Sequence, residues 1–451
     1  MNVDLLIAEI GSTTTVVNAF SGLTGGCPVF VGQGMAATSI AEGDVTCGLD
    51  RAREDLARIL AVDSVSSDHY FATSSAAGGL SMTVHGLVPE MTVRAAREAA
   101  LGSGAVIRMV TAGRLGVYDL EEIQAIAPRI IMVAGGVDGG ERETALHNFD
   151  KLTEHFPQTP VLYAGNADNL REIRAIAGER GVRLYVTENV YPSLDRLNVE
   201  PARLIIQRIF EEHIVEAPGM AHIHETVTGR IMPTPGAVMA MTERLYHVFG
   251  DLMTFDVGGA TTDIHSVTEG SEDLRLYQTE PEPFAKRTVE GDLGVYINRA
   301  HVIRAMSPRE RSALLPDYEA NLSLVPEIPE NDGQIALLLP LVKTCCREAL
   351  ERHAGRLSEQ FTTRGRQMTV RGRDLTAVRT IIATGGALTK LPGAAAVIGE
   401  ILSVPSADRL YPGEKSRIMM DHLYLMASCG VMADTYPDAA TKLMLDSLRI
   451  S

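Results

Sequence analysis

Twice in this chain an apolar strand ends on a carboxylate, an aliphatic residue and a glycine. Each time it runs through small or hydroxyl residues and returns as a second apolar strand. The first copy is Glu9-Ile10-Gly11-Ser12-Thr13-Thr14-Thr15-Val16-Val17, and the second is Asp256-Val257-Gly258-Gly259-Ala260-Thr261-Thr262-Asp263-Ile264. Glycines and small side chains let backbone N–H groups approach an anion closely. A carboxylate at the strand end can hold a divalent cation through water. Two such turns, one in each half of the chain, predict a clamp around the phosphates of a nucleotide.

At 451 residues the chain is long enough for two or more domains, each with its own core. Its formal charge of −16 argues against nucleic acid or an anionic membrane as a general partner. An anionic nucleotide then needs a local site built from backbone dipoles and a metal ion. The opening MNVDLLIAEIGS puts an acid inside a strand pattern and lacks the basic stretch and apolar core of a signal peptide. No apolar run approaches the ~20 residues that span a bilayer. Cys27, Cys47, Cys345, Cys346 and Cys429 are odd in number and irregular in spacing, which gives neither a disulfide framework nor a zinc pattern. These features predict a reduced, cytoplasmic protein.

Strand-like and helix-like segments alternate throughout, so the fold class is α/β. Strands are expected at 4–10, 15–20, 68–73, 82–87 and 378–383, and helices at 50–60, 90–101, 202–215, 236–249, 334–361 and 421–435. Strands at 129–134, 160–164 and 182–187 alternate with helices at 141–155 and 169–180, a rhythm that predicts parallel pairing. The expected division is a first lobe over 1–112 and 196–250, an inserted βαβ domain over 113–195, a second lobe over 251–435, and a tail over 436–451.

The second hairpin carries the richer chemistry. Its backbone amides near 258–262 face a phosphate, with Thr261 and Thr262 adding hydroxyl donors. Asp256 and Asp263 are placed to orient a hydrated magnesium ion or an attacking water. In the first hairpin Gly11, Ser12, Thr13 and Thr14 are the phosphate cradle, and Glu9 is the strand-end acid. A third turn, Thr384-Gly385-Gly386-Ala387-Leu388-Thr389, follows an apolar strand and lets a base or ribose lie against the backbone. Several other features carry less. The turns at 135–140 and 165–169 read as strand-end turns open to a partner or ligand. Glu290-Gly291-Asp292-Leu293-Gly294 is either a solvated helix start or an acidic contact near the cleft. Cys345-Cys346 read as core, and His222, His224 and His247 lack metal-ligand spacing.

Taken in order, the two hairpins and the strand-Gly-Gly turn resemble the actin-like ATPase superfamily, which includes actin, sugar and acetate kinases and DnaK-type chaperones. The resemblance implies two ribonuclease-H-like lobes with ATP or ADP and Mg²⁺ between them. It assigns residues 9–15 and 256–263 to the phosphate motifs and 384–389, with Gly385, Gly386 and Ala387, to the adenosine motif. Asp256, Asp263 and Glu9 are then the catalytic candidates, with Glu9 and Asp256 reaching the metal through water. A narrower likeness runs along nearly the whole chain. The segments 78–92, 134–148, 161–169, 188–192, 233–238, 256–267, 290–294 and 384–388 resemble the MutL/GlmL family, the accessory protein of glutamate mutase, which is unrelated to the mismatch-repair protein of similar name. This implies an ATPase partner for the subunits of an adenosylcobalamin-dependent mutase, similar to the reactivating factors of diol and glycerol dehydratase. A homodimer is compatible with it.

One position departs from that pattern. The first motif usually opens with Asp, and here it is Glu9, whose extra methylene carries the carboxylate about 1.5 Å further. Slow hydrolysis, or nucleotide binding used mainly as a switch, follows as an expectation. The alternatives are a small-molecule kinase of the same superfamily and an assembly factor with little turnover. The cobalt-binding pattern Asp-x-His-x-x-Gly is absent, so the chain is not expected to bind cobalamin tightly itself.

Overall fold

The computed structural model describes the chain except for residues 40–43, 76–79, 195, 214–226, 229–230, 363–364, 405, 407 and 451. Residues 78–79 of the segment 78–92, and the histidines His222 and His224, therefore lie outside the described residues. The chain divides into two compact units. The first comprises 1–76, 218–279 and 284–451, and the second 77–217 with 280–283.

The first unit contains the same sheet twice. In one copy β1 (Asn2–Ile10) pairs antiparallel with β2 (Thr14–Ser21), which pairs antiparallel with β3 (Val29–Ala37). On its other side β1 runs parallel to β4 (Ser66–Ser74), and β4 runs parallel to β10 (Ile231–Pro233). The second copy repeats this order. Here β11 (Leu252–Val257) is flanked by antiparallel β12 (Thr262–Val267) and then β13 (Ala285–Glu290), and by parallel β16 (Thr380–Thr384) and then β17 (Arg417–Met420). Both sheets thus have the mixed five-stranded order of a ribonuclease-H-like lobe. The central strands are buried on both faces, which is why β1 reads as a continuous apolar run rather than an alternating one.

Helices from both halves knit these sheets together. Leu5, Ile7 and Phe71 of the first sheet share one buried cluster with Leu252, Val267 and Ile382 of the second. The helices Thr234–Phe249, Met426–Met432 and Pro437–Ser447 fill that cluster. The first two cross at backbone distance, since a Cβ on Gly430 would lie 1.9 Å from the Ala237 carbonyl oxygen. The segment expected as a tail, 436–451, instead contains the helix Pro437–Ser447, whose Leu443 and Met444 are fully buried. Alanines and leucines at helical spacing supply that buried face.

A second cluster packs the helix Asp332–His353 against β11, with Met253, Phe255, Leu341 and Cys346 fully buried. The cysteine pair is core, as its place in an apolar stretch suggested. The helix ends sooner than expected, because residues 356–362 are strand β14 (Arg356–Thr362), paired with β15 (Gly365–Arg371). Gly355 lies under this ribbon so closely that a Cβ would meet the Arg371 carbonyl oxygen at 2.6 Å. A backbone contact that tight ends the helix.

In the second unit β5 (Ser81–Gly86), β6 (Val106–Ala112), β7 (Ile130–Val133), β8 (Val161–Tyr163) and β9 (Leu184–Val186) form a sheet in the order β6-β5-β7-β8-β9. All its pairs are parallel, including the three strands expected to be so. The unit is larger than the 113–195 read from the sequence, because β5 sits between β6 and β7 and so belongs to this sheet. Phe149 meets Tyr163 edge to face at 6.3 Å in its core. Arg94 pairs with Glu280 and Glu282, which draws 280–283 into this unit.

Candidate functional site

The two hairpins have the same turn. In the first, β1 and β2 pair through Ile10 and Thr15, and Gly11 N–H donates to the Thr14 carbonyl at 2.9 Å. In the second, β11 and β12 pair through Val257 and Thr262, and Gly258 N–H donates to the Thr261 carbonyl at 2.9 Å. The register makes Glu9 the counterpart of Asp256. It also sets Val16, opposite Glu9, where the second hairpin has Asp263 opposite Asp256.

Each turn is held from behind by one polar residue. Thr38 donates its hydroxyl to the Gly11 carbonyl at 2.9 Å and its N–H to the Thr13 carbonyl. Asn298 donates to the Ala260 and Gly291 carbonyls, both at 2.8 Å. With the carbonyls tied back, the amides face forward. Among the described residues the N–H groups of Ser12, Thr13, Gly259 and Ala260 donate to no protein acceptor. The turns also touch, because a Cβ on Gly259 would fall 2.6 Å from Thr13 Oγ1.

Both turns line one cleft with about 1050 Å³ of free space, part of it open to solvent. Glu9, Gly11, Ser12, Thr13, Thr14, Asp256, Gly258, Gly259, Ala260, Thr261, Asp263, Gly386 and Ala387 all face it. Two expected site residues do not. The Thr262 side chain is fully buried, and its hydroxyl donates to the Leu293 carbonyl at 2.6 Å, so it braces the turn and reaches no cleft. Gly385 supports Asp256 from below. Its φ of +87° and the 2.5 Å that would separate a Cβ from Asp256 Oδ1 both require glycine.

The acids of this cleft are held away from their ordinary charge states. Burial pushes the Glu9 carboxyl up to about 7, and the nearby Asp421 charge adds to this, while a hydrogen bond from Tyr424 opposes it. Burial raises Asp256 well above the usual carboxylate range, helped by the charges of Asp263 and Glu9. Asp263 is raised by burial against the opposing Arg287, whose guanidinium donates to Asp263 Oδ1 at 2.8 Å. Three acids that resist ionising together in one cleft form a site that an added cation relieves.

Direct ligation is a different matter. Among the described residues no group of three or more His, Cys, Asp or Glu side chains is arranged to hold a metal. Glu9 Oε2 is buried and has no hydrogen-bond partner among the described residues. A hydrated magnesium ion, reached by Glu9 and Asp256 through water, fits these donors, and a bare ion held by protein alone does not.

Four contributors escaped the sequence reading. Tyr424 donates to Glu9 Oε1 at 2.5 Å from 415 residues away. Lys390 is the cationic side chain among the lining residues, and burial lowers its pKa while its ammonium donates to Gln33 at 2.7 Å. It follows the 384–389 turn by one residue, a signal that was available. Arg287 and Glu327, the latter at the apolar end beside Ile328 and Pro329, carry no local signal. Glu290 and Asp292 pair with Arg352, so they form a structural clasp.

The repeated sheet, the facing turns and the strand-end acids define an actin-like α/β protein. The MutL protein family model matches residues 5–448. Protein MutL of Clostridium tetanomorphum is 36% identical over 462 residues, covering 97% of this chain and 98% of that relative. The chain belongs to the MutL protein family. Among solved structures, a nucleotide-free diol dehydratase-reactivating factor is 10% identical over 96% of this chain and 99% of its own, with a TM-score of 0.37. A nucleotide-free acetone carboxylase is 11% identical over 96% of this chain and 70% of its own, with a TM-score of 0.41. Likeness at that level carries no argument about function. No described helix is long and apolar enough to cross a membrane.

Proposed function

We propose that this protein is an ATP-driven accessory factor that restores an adenosylcobalamin-dependent mutase of the glutamate mutase type. The observation that carries the reading is the pair of matched turns facing one cleft with their free amides forward. The N–H groups of Ser12, Thr13, Gly259 and Ala260 would take the ATP phosphates, and Lys390 would add a positive charge. Magnesium, when bound, would neutralise phosphate charge, with Glu9 and Asp256 the residues that would hold it through water. Asp256 orients the attacking water, and Arg287 fixes Asp263 beside it. Family membership supports the mutase as partner.

In the proposed cycle the two sheets close on ATP, and the closed and open states differ in affinity for the mutase. A coupling of 1–3 kcal/mol is typical of such devices and is enough to drive release of damaged cobalamin. The test is recovery of an inactivated mutase given this protein, ATP, magnesium and fresh coenzyme. Recovery no better than with coenzyme alone would refute the proposal.

A second reading, an assembly factor with little turnover, is favoured by Glu9. Its carboxyl is held by Tyr424 and resists ionisation. Single-turnover ATP hydrolysis slower than mutase recovery would select it.

A further inference from the structure

We propose that Tyr424 is a positioning residue, which pins one oxygen of Glu9 so that the other is presented to the cleft for the metal's water shell. The inference rests on the nucleotide reading above and concerns how the longer acid is accommodated there.

Glutamate has one more rotatable bond than aspartate, so its carboxylate spreads over more positions unless something holds it. Tyr424 holds it. The phenol donates to Oε1 at 2.5 Å, and Oε2, on a residue that lines the cleft, is buried and has no hydrogen-bond partner among the described residues. The backbone of Tyr424 has φ +54°, a left-handed conformation unusual for a bulky residue. Such a conformation persists where its surroundings over-determine it. Here they do. Asp421 accepts from Leu425 N–H at 2.9 Å, from Met426 N–H at 2.9 Å, from Thr384 Oγ1 at 2.8 Å and from Ser447 Oγ at 2.5 Å. Tyr424 N–H itself donates to the Asp421 carbonyl at 3.1 Å. A fully buried carboxylate thus folds the turn that aims the phenol at Glu9. By register Glu9 matches the shorter Asp256, to which no phenol donates among the described residues.

The test is a double-mutant cycle read by calorimetry. The quantity is the magnesium concentration that half-saturates the gain in ADP affinity, measured for the parent, Tyr424→Phe, Glu9→Asp and the double variant. Tyr424→Phe should raise it about tenfold in the parent, the scale of a hydrogen bond to a charged group. It should change it less than twofold beside Glu9→Asp, whose shorter side chain does not reach the phenol. An equal effect in both backgrounds, or none in the parent, overturns the assignment. If Tyr424→Phe does not fold, Glu9→Gln decides, since it keeps the acceptor for Tyr424 and loses the charge. The half-saturating magnesium concentration should rise about tenfold, and an unchanged value overturns the assignment. A parent that binds no ADP with or without magnesium defeats the nucleotide reading itself, a separate outcome.

Discussion

The two hairpins share a register, a turn and a backbone hydrogen bond, yet they are equipped for different tasks. The 256–263 copy has two acids facing each other, and one of them is paired with Arg287. The 9–16 copy has one acid, longer and tied to Tyr424, opposite Val16. A repeated fold supplies the same frame twice, and side-chain choice at two register positions then divides the labour. On the reading proposed above, both turns would hold phosphate and both strand-end acids would reach the metal's waters, while the second copy alone has the facing acid, Asp263, to help place the attacking water.

That division breaks first at Gly385. Alanine there places a Cβ 2.5 Å from Asp256 Oδ1 and from the Val257 backbone, at a φ that disfavours it. We expect Gly385→Ala to cost about 3–5 kcal/mol in urea unfolding and to abolish ATP turnover. Next is the contrast between the acids. Asp256→Asn should lower turnover at least ~100-fold, and Glu9→Gln about tenfold, in steady-state phosphate release. Equal losses would show that the hairpins are not specialised.

Installing the missing acid sharpens the comparison. Val16→Asp puts a carboxyl at a position 1% exposed, with Gln33 at the register position of Arg287, and should cost about 3 kcal/mol of stability in urea titrations. Little or no loss would mean that the first turn already accommodates charge. The smallest effect is in pH. Glu9 binds its proton more tightly folded, at about 7, than at its ordinary 4.5. Its contribution is therefore full below pH 4.5 and is lost as pH rises through 7. Without nucleotide, stability should fall between pH 5 and pH 8. Glu9→Gln should remove a part of that fall, on the order of 2–3 kcal/mol. Asp256 and Asp263, shifted the same way, account for the remainder.

The turns were legible in the sequence because each is a short contiguous run in which glycine, hydroxyls and acids declare their use. The parallel strands of the second unit were legible for the same local reason. The extent of that unit was not, because β5 joins its sheet by insertion between β6 and β7. Thr262 shows the limit at the site. Its residue type suits a phosphate, but strand alternation turns it inward to Leu293. Tyr424 shows the complement, a residue with no motif around it whose role exists only after β17 is laid beside β16.

The crossing of the helices Thr234–Phe249 and Met426–Met432 at Gly430 bears on how the cleft can move. Where side chains interlock, two helices shift in steps, one set of grooves at a time. At Gly430 one backbone rests on another, with no side chain between them. We expect that contact to let the two sheets turn past each other more smoothly than interlocked side chains would. Any residue larger than glycine there would act as a wedge, fixing the opening between the turns before a nucleotide arrives.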